Sequence, residues 1–317
     1  MARLHRLVSG IVSPLLAAAM LTACGGGGGN GPQPAVAAPA QVSLAQEPNA
    51  PQLTGNTATD GLNWFNYRRQ QMGLAAVERN SMLDTATQNH SDYQKLNDVI
   101  THDETPGKPG FTGTTLANRL SAAGYVFDQS RYAYGEVISA TGDTSGFNAA
   151  DDLIAAIYHR FVILEPVFRQ AGAGVASVPN GYTYFTVDFA ANGLGPGVGP
   201  GSFVNYPFAN QQHVPVVFFS NRETPDPVPD LNEVGYPVSI HADITAVVDV
   251  QSFTLTTRGG APLPVRLLSH TTDTNTRSSV AAIIPVNVLA ANTTYDARFI
   301  GTIDGTAVNR SWSFTTQ

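Results

Sequence analysis

The sequence predicts two folded units, a mixed α+β domain followed by an all-β domain, because its hydrophobic pattern changes character once along the chain. In the first part, apolar residues recur at helical spacing before two strand-like runs joined by Pro179-Asn180-Gly181, a strong hairpin signal. After residue 202, short β-branched and aromatic runs are separated by Gly, Pro, Asn and Asp. Helices followed by a small antiparallel sheet indicate a layered α+β domain, and the later pattern indicates a β-sandwich.

Four helices are predicted in the first unit from caps and terminators. The first begins at Thr59-Asp60 and ends at Gly73, and the second begins after Asn80-Ser81 and places His90 on its buried face. A short third helix runs from near Thr114 to Gly124, and a fourth from about Ala149 to His159. Strands are predicted at Tyr132 to Ala140, Gly172 to Val178 and Tyr182 to Phe189.

The second unit is predicted to consist of short strands only. The runs that indicate them are Val214 to Phe219, Val238 to His241, Phe253 to Thr257, Val265 to Leu268, Val280 to Ile284, Thr294 to Ile300 and Ser311 to Thr315.

Composition excludes two classes of protein. A formal net charge of -7 over 317 residues, with no cluster of Lys and Arg in the folded part, argues against a nucleic-acid partner. A mean hydropathy of -0.05 argues against a protein with many membrane spans.

The N-terminus predicts export and lipid anchoring. Residues 1–23 have the basic start, apolar run and small residues of a secretory signal peptide. The following Leu21-Thr22-Ala23-Cys24 resembles the bacterial lipobox, in which the cysteine is acylated; an ordinary signal peptide with an incidental cysteine is the alternative. Cys24 is the only cysteine, so no internal disulfide is expected. By resemblance to Gram-negative lipoproteins, Gly25, which is not Asp, implies the outer membrane if the source is Gram-negative.

Composition also divides the chain. Residues 24–56, rich in Gly, Pro, Ala and Gln, are predicted to be a disordered tether. The α+β domain is assigned to residues 57–191, a Gly- and Pro-rich linker to residues 192–202, and the sandwich to residues 203–317.

Three residues between positions 101 and 168 are candidates for a functional site. His102, Glu136 and His159 stand in apolar or turn-forming surroundings, and imidazoles and carboxylates are the groups that meet in metal sites and acid/base sites. Their spacing alone does not bring them together.

A family resemblance does predict that they meet. The first unit resembles the CAP superfamily, also called SCP-like, which unites cysteine-rich secretory proteins, antigen 5 and plant pathogenesis-related proteins. The resemblance covers about residues 57–191 and implies an α-β-α sandwich. The residues that carry it are Leu62-Asn63, Tyr67-Arg68, Gly73-Leu74, Ala86, His90-Ser91, Thr101-His102, Arg119, Gly124-Tyr125, Gly135-Glu136, His159-Arg160, Ile163-Leu164, Pro166, Phe168 and Gly172-Ala173-Gly174.

In the family, two histidines and two acidic residues line a central cleft. The resemblance places the histidines at His102 and His159 and one acid at Glu136. The second acid would fall near Ala156, where no carboxylate exists. Glu104 is either its substitute or a solvated loop carboxylate.

Three roles for the predicted cleft remain open. His102, Glu136 and His159 can hold zinc or another divalent metal, move protons in a metal-dependent hydrolase, or form a buried hydrogen-bonded network that only fixes the helices to the sheet. No complete catalytic set is visible, so binding is favoured over catalysis. His90 is predicted to be a core histidine, and Arg119 and Arg160 to pair with acids or cap carbonyls.

The second unit resembles bacterial Ig-like modules, which act as spacers or adhesive surfaces. The residues that carry the resemblance are Leu289, Asn292-Thr293-Thr294-Tyr295, Gly301, Asp304-Gly305 and Trp312-Ser313-Phe314-Thr315-Thr316. The sequence therefore predicts an envelope lipoprotein, held in the bacterial membrane through Cys24, whose CAP domain binds a lipid, envelope component or protein. Adhesion through the Ig-like unit is a further alternative.

Overall fold

The helices of the first unit begin where the sequence provides polar caps. The computed structural model describes residue 44 and residues 47–317. Asn56 caps α1 (Thr57–Gln71), Asn80 caps α2 (Ser81–Asn97) and Thr115 caps α3 (Leu116–Ala122), each by accepting a hydrogen bond from a backbone N–H of the first turn. Three of the four predicted helices are thereby confirmed, although α1 begins at Thr57 after the Asn56 cap and not at the predicted Thr59-Asp60.

The predicted fourth helix is wrong in one respect, because two helices occupy its place. Helix α4 spans Gly146–Ala155 and α5 spans Ile157–Ile163. Ala156 between them adopts an extended conformation, with φ -69° and ψ 115°. Helix α5 consequently begins directly after α4, and its N-cap residue, Ala156, provides no capping side chain.

The first unit contains one four-stranded sheet in the order β1-β3-β4-β2. Strands β3 and β4 form the predicted hairpin, in which Asn180 adopts the left-handed φ of 58°. Gly172 and Gly174 of β3 let α2 approach closely, since a Cβ on Gly172 would lie 2.2 Å from the backbone of Leu83. The strands are β1 Glu78–Arg79, β2 Tyr132–Thr141, β3 Gln170–Ser177 and β4 Thr183–Asn192.

Helices cover both faces of this sheet. On one face, Ser91 of α2 donates to Thr186 of β4, and α2 packs with α3. On the other, Phe65 of α1 stacks on Phe185 of β4, and Val162 of α5 lies against Gly135 of β2. Because neighbouring residues of a strand point to opposite faces, Glu136 points toward α2 and α3, away from α5.

The second unit consists of two four-stranded sheets and a two-stranded ribbon, β7 with β8. One sheet has the order β10-β13-β14-β6, with β6 parallel to β14, and the other has the order β11-β12-β9-β5. Both sheets contribute to one buried core, for example through Phe253 and Ile283. The strands are β5 Val204–Tyr206, β6 Gln211–Val214, β7 Val217–Phe219, β8 Glu233–Gly235, β9 Val238–His241, β10 Val248–Thr257, β11 Val265–Leu268, β12 Val280–Pro285, β13 Thr294–Ile303 and β14 Thr306–Thr316.

Most predicted strands of this unit are confirmed. The exception is the run from Val214 to Phe219, which is divided between the end of β6 and the whole of β7. Pro215 lies between the two, and proline cannot donate to a strand ladder.

The two units share buried apolar clusters. Ile157 and Phe161 of α5 pack among Phe218, Val234 and Ile284 of the second unit. The segment that joins the units is also fixed, because the carboxylate of Asp243 accepts three successive N–H groups, those of residues 197–199. The α+β unit therefore packs directly on the second unit.

Part of the predicted tether is folded. Glu47 makes a two-fold hydrogen-bonded ion pair with Arg68 of α1, and the Pro48 carbonyl accepts from Tyr67. The prediction of a disordered segment up to Asn56 is wrong for residues 47–56. The leader and Cys24 lie outside the described residues, and none of the described helices has the length and apolar character needed to cross a membrane.

Candidate functional site

Glu136 is the centre of a buried polar cluster between the sheet and α3. Its carboxylate accepts two hydrogen bonds from Arg119 Nη2, at 2.8 and 2.7 Å, and only 3% of the residue is exposed. Burial opposes ionisation of Glu136, but the charge of Arg119 outweighs it and holds the pKa of Glu136 well below its ordinary value. The prediction that Arg119 pairs with an acid is confirmed.

His102 joins this cluster from the loop between α2 and α3. Its Nδ1 lies 2.9 Å from Glu136 Oε1 and donates to that ionised carboxylate. Arg119 Nη1 donates to the His102 carbonyl at 2.7 Å, which fixes the loop backbone. The His102 side chain remains 29% exposed, so its ring reaches solvent while its partner is buried.

Asp188 is a second acid in the cluster, and the sequence reading missed it. It lies directly opposite Glu136 in the pairing of β4 with β2, and it is 1% exposed. Neither Asp188 oxygen has a well-formed hydrogen bond within the described residues. Burial and the neighbouring charge of Glu136 raise the pKa of Asp188 well above its ordinary value, which favours the protonated form of this acid.

A second buried pair, His90 with Glu104, supports the same loop. His90 Nδ1 lies 2.9 Å from Glu104 Oε1, and His90 Nε2 lies 2.7 Å from the Thr101 carbonyl. Burial opposes ionisation of Glu104, but hydrogen bonds from His90, Thr112 and Gly113 lower its pKa. His90 is confirmed as a core histidine, whereas the alternative of a solvated Glu104 is wrong because Glu104 is 1% exposed.

His159 has a different carboxylate partner, supplied by the second unit. Glu223 Oε1 lies 2.9 Å from His159 Nδ1 and also accepts the N–H groups of Tyr158 and His159, while Oε2 accepts that of Ile157 at 2.8 Å. Glu223 thereby caps the N-terminus of α5, beside Ala156, where the family resemblance placed the missing acid. The local sequence has no acid at this position, but the second unit supplies the carboxylate of Glu223 beside it.

Arg160, which follows His159, stabilises the same contact between α5 and the second unit. Its guanidinium donates to the carbonyls of Ile154 and Pro237, and it lies over the rings of Tyr206 and Tyr236 at 4.9 Å each. The prediction that Arg160 caps carbonyls is confirmed.

The structure brings His102 and Glu136 together but does not add His159 to them. His159 belongs to α5, which packs on the face of the sheet opposite the Glu136 side chain. No group of three His, Cys, Asp or Glu residues in the described part of the chain is arranged to hold a metal ion. Both Glu136 oxygens are also engaged by Arg119, so the predicted trio does not fit a divalent metal.

The arrangement allows a limited chemistry. His102, oriented by Glu136, can accept or release a proton at Nε2 on the solvent side. No serine, threonine or cysteine is hydrogen-bonded to His102, so the described residues supply it with no nucleophile to activate.

Neither Asp188 nor Glu223 was predicted, and only Asp188 has a signal in the sequence. Asp188 stands in Val187-Asp188-Phe189, and a lone carboxylate inside an apolar strand is a recognisable signal of a buried, functional or paired acid. Glu223 gives no such signal, because it lies in a polar loop 64 residues from His159.

Solved structures show some likeness to this chain. An extracellular protein containing an SCP domain from Bacillus anthracis is 23% identical, with a TM-score of 0.37, over 43% of this chain and 41% of that one. The match thus spans about two fifths of that protein. An outer surface protein of Borrelia burgdorferi gives 15% identity and a TM-score of 0.35, over 41% of this chain and 88% of its own.

A third structure, the venom allergen-like protein 4 of Schistosoma mansoni, gives 9% identity and a TM-score of 0.31, over 43% of this chain and 88% of its own. These values are too low to transfer any functional conclusion. No curated protein matches the chain.

The family comparison is more specific. The model of the cysteine-rich secretory protein family, CAP, matches residues 62–189. That range holds the whole Glu136 cluster and the first sheet except for the last three residues of β4. This chain therefore contains a CAP domain of the cysteine-rich secretory protein family.

Proposed function

We propose that this chain is an exported cell-envelope lipoprotein that acts by binding, with its CAP domain as the binding unit. The leader and the motif ending in Cys24 support export and anchoring. The partner classes compatible with that location are lipids, other envelope components and proteins.

One observation carries the preference for binding over catalysis. The two acids and His159 are buried or hydrogen-bonded to other residues of the chain. Glu136 is held by Arg119, Asp188 is buried beside it, and His159 is held by Glu223. A metal-dependent hydrolase would need these groups to converge on one open position.

The second unit is proposed to be an Ig-like module that braces the CAP domain. When β5 and β9 to β14 are lettered A to G in chain order, one sheet has the spatial order β5-β9-β12-β11, or ABED, and the other β10-β13-β14, or CFG. The support from this strand order is independent of the sequence motifs. An adhesive role for this module is the alternative.

A second candidate function is proton transfer by His102. The observation that favours it is the His102–Glu136 pair, in which a buried carboxylate orients a partly exposed imidazole. Ester, amide, phosphoester and glycoside substrates should be tested with the wild-type protein and with His102→Asn. We expect no turnover by either; turnover that the substitution abolishes would favour an enzyme.

Anchoring is tested by cell fractionation of the wild-type protein and of Cys24→Ser. We expect the wild-type protein to stay in the membrane fraction through a high-salt and carbonate wash, with incorporated fatty acid, and the variant to be released by that wash without it. A Thr22→Ser variant, which leaves the cysteine in place, is the matched control. Membrane association of Cys24→Ser that survives a high-salt and carbonate wash would refute lipid anchoring.

A further inference from the structure

The CAP domain exposes apolar side chains at one end, where α2 finishes. Leu96 is 60% exposed and Ile100 is 58% exposed, values far above those of the buried face of the same helix. Exposed apolar residues are ordinary singly, but a group of them marks an interaction surface. We call this group the apolar patch, and its members are Leu96, Val99, Ile100, Phe111, Val178 and Tyr182.

The loop before α3 lies against the last turn of α2 and extends the patch. Asn97 Nδ2 donates to the Pro109 carbonyl at 2.9 Å. A Cβ on Gly110 would lie 3.1 Å from Leu96 Cδ1, so Phe111 enters the surface beside Leu96.

The β3–β4 hairpin reaches the same end of the domain. Helix α2 runs alongside β3, and Tyr184 Oη donates to Asp98 Oδ1 at 3.2 Å, directly before Val99. The ring of Tyr182 packs 6.0 Å from that of Tyr184, and the Val178 N–H donates to the Tyr182 carbonyl. Three segments distant in sequence thus present apolar side chains together.

The chain has two lysines, and both lie at this patch. Lys95 precedes Leu96, Lys108 lies three residues before Phe111, and both are exposed. They offset the nearby Asp98 and Asp103, in a chain whose net charge is -7. The two lysines and two aspartates leave this end without net charge, so it can approach phosphate headgroups, where lysine extends its ammonium while its stem stays apolar. Tyrosine likewise favours the boundary between lipid and water.

The proposed anchor leaves this end free to reach the membrane. Leu44, the first described residue, lies twenty positions after Cys24, and a chain of that length spans at most about 70 Å. A globular part of this size has a radius of gyration of about 19 Å. The span therefore exceeds the width of the folded part.

We propose that the apolar patch docks on the phospholipid surface of the membrane that carries the anchor, with Leu96 and Ile100 entering the apolar layer and the two lysines at the headgroups. The proposal deepens the proposed function, because it names the partner of the CAP domain. The docking contact is distinct from the acyl chain and is testable without it.

The test uses the mature chain with Cys24→Ser, sedimented with vesicles of phosphatidylcholine alone or with phosphatidylglycerol added. We expect the protein to bind both kinds of vesicle, and Leu96→Asp/Ile100→Asp to lower the partition coefficient at least about tenfold. The control Leu231→Asp/Val288→Asp changes two exposed apolar residues of the second unit and should bind like the parent. Thermal melts confirm that every variant is folded.

Several outcomes overturn the proposal. The parent protein could bind neither kind of vesicle, or the patch variant could bind vesicles as well as the parent does. In a third outcome, the parent does not bind lipid but associates with itself, and the patch variant loses that self-association. Because no acyl chain is present, failure here leaves the anchoring test with Cys24→Ser in cells unaffected, and failure there leaves this one unaffected.

Discussion

Glu223 provides the sharpest test of how the two units depend on each other. Its carboxylate is fully buried and accepts the N–H groups of Ile157, Tyr158 and His159 as well as His159 Nδ1. Replacing Glu223 with Ala removes the only side chain that caps α5 and leaves these donors without an acceptor.

The expected loss follows from the burial of each donor. Removing a helix cap costs about 1 kcal/mol. The Ile157 N–H is buried and adds about 1–3 kcal/mol when it is left unsatisfied. Tyr158 and His159 are half-buried, so water can satisfy part of their demand. We therefore expect Glu223→Ala to lower the free energy of unfolding by about 3 kcal/mol.

The two tryptophans make the assay specific to each unit. Trp64 lies in α1 and Trp312 in β14, so Trp312→Phe and Trp64→Phe variants report urea unfolding of one unit at a time by fluorescence. Because α5 packs among strands of the second unit, Glu223→Ala should lower both midpoints together.

The matched control is Glu233→Ala, an exposed acid of the same unit, which should change stability by less than about 0.5 kcal/mol. A loss below about 1 kcal/mol in Glu223→Ala would refute the capping argument. Unfolding of the two units at different urea concentrations in the wild-type protein would refute the coupling.

Two further predictions concern pH and metal. Burial raises the pKa of Glu165 to about 8, so the folded state binds this proton more tightly than the unfolded state does. The stabilisation from this group is fully present at pH values below the ordinary pKa of Glu, and it is lost as the pH rises from about 5 to 8. The free energy of unfolding from urea titrations should therefore fall by about 2–4 kcal/mol across that range in the wild-type protein and by less in Glu165→Gln. An equal fall in the variant would contradict this. Because Arg119 engages Glu136, we expect zinc to leave the melting temperature unchanged in both the wild-type protein and His102→Ala/His159→Ala. A zinc-dependent rise in the wild-type protein that the double variant lacks would instead support the metal site.

Local chemistry explains why much of the fold could be predicted. Asn80 before an amphipathic run defines the start of α2, and Asn180-Gly181 defines the β3–β4 turn, because caps and tight turns depend on residues that are neighbours in sequence. The alternating runs of the second unit likewise identify its strands without any long-range information.

The candidate site was predicted only in part, for a physical reason that differs between its two halves. His102 and Glu136 meet as the family resemblance implied. His159 does not join them, since α5 packs on the other face of the sheet and Glu223 takes its imidazole. The break at Ala156 has the same origin, because the carboxylate that stabilises the new helix start lies in another unit.

The sequence by itself determined most of the helices and strands, the resemblance to the CAP family and the candidate residues, because periodicity, caps and turns act over a few positions. Only the tertiary structure decided which acid meets which base. Asp188 faces Glu136 through strand pairing, Glu223 reaches His159 through the packing of two units, and the apolar patch forms where three separate segments end together. Pairing of buried charges depends on distances in space, and those are fixed only when the whole chain has folded.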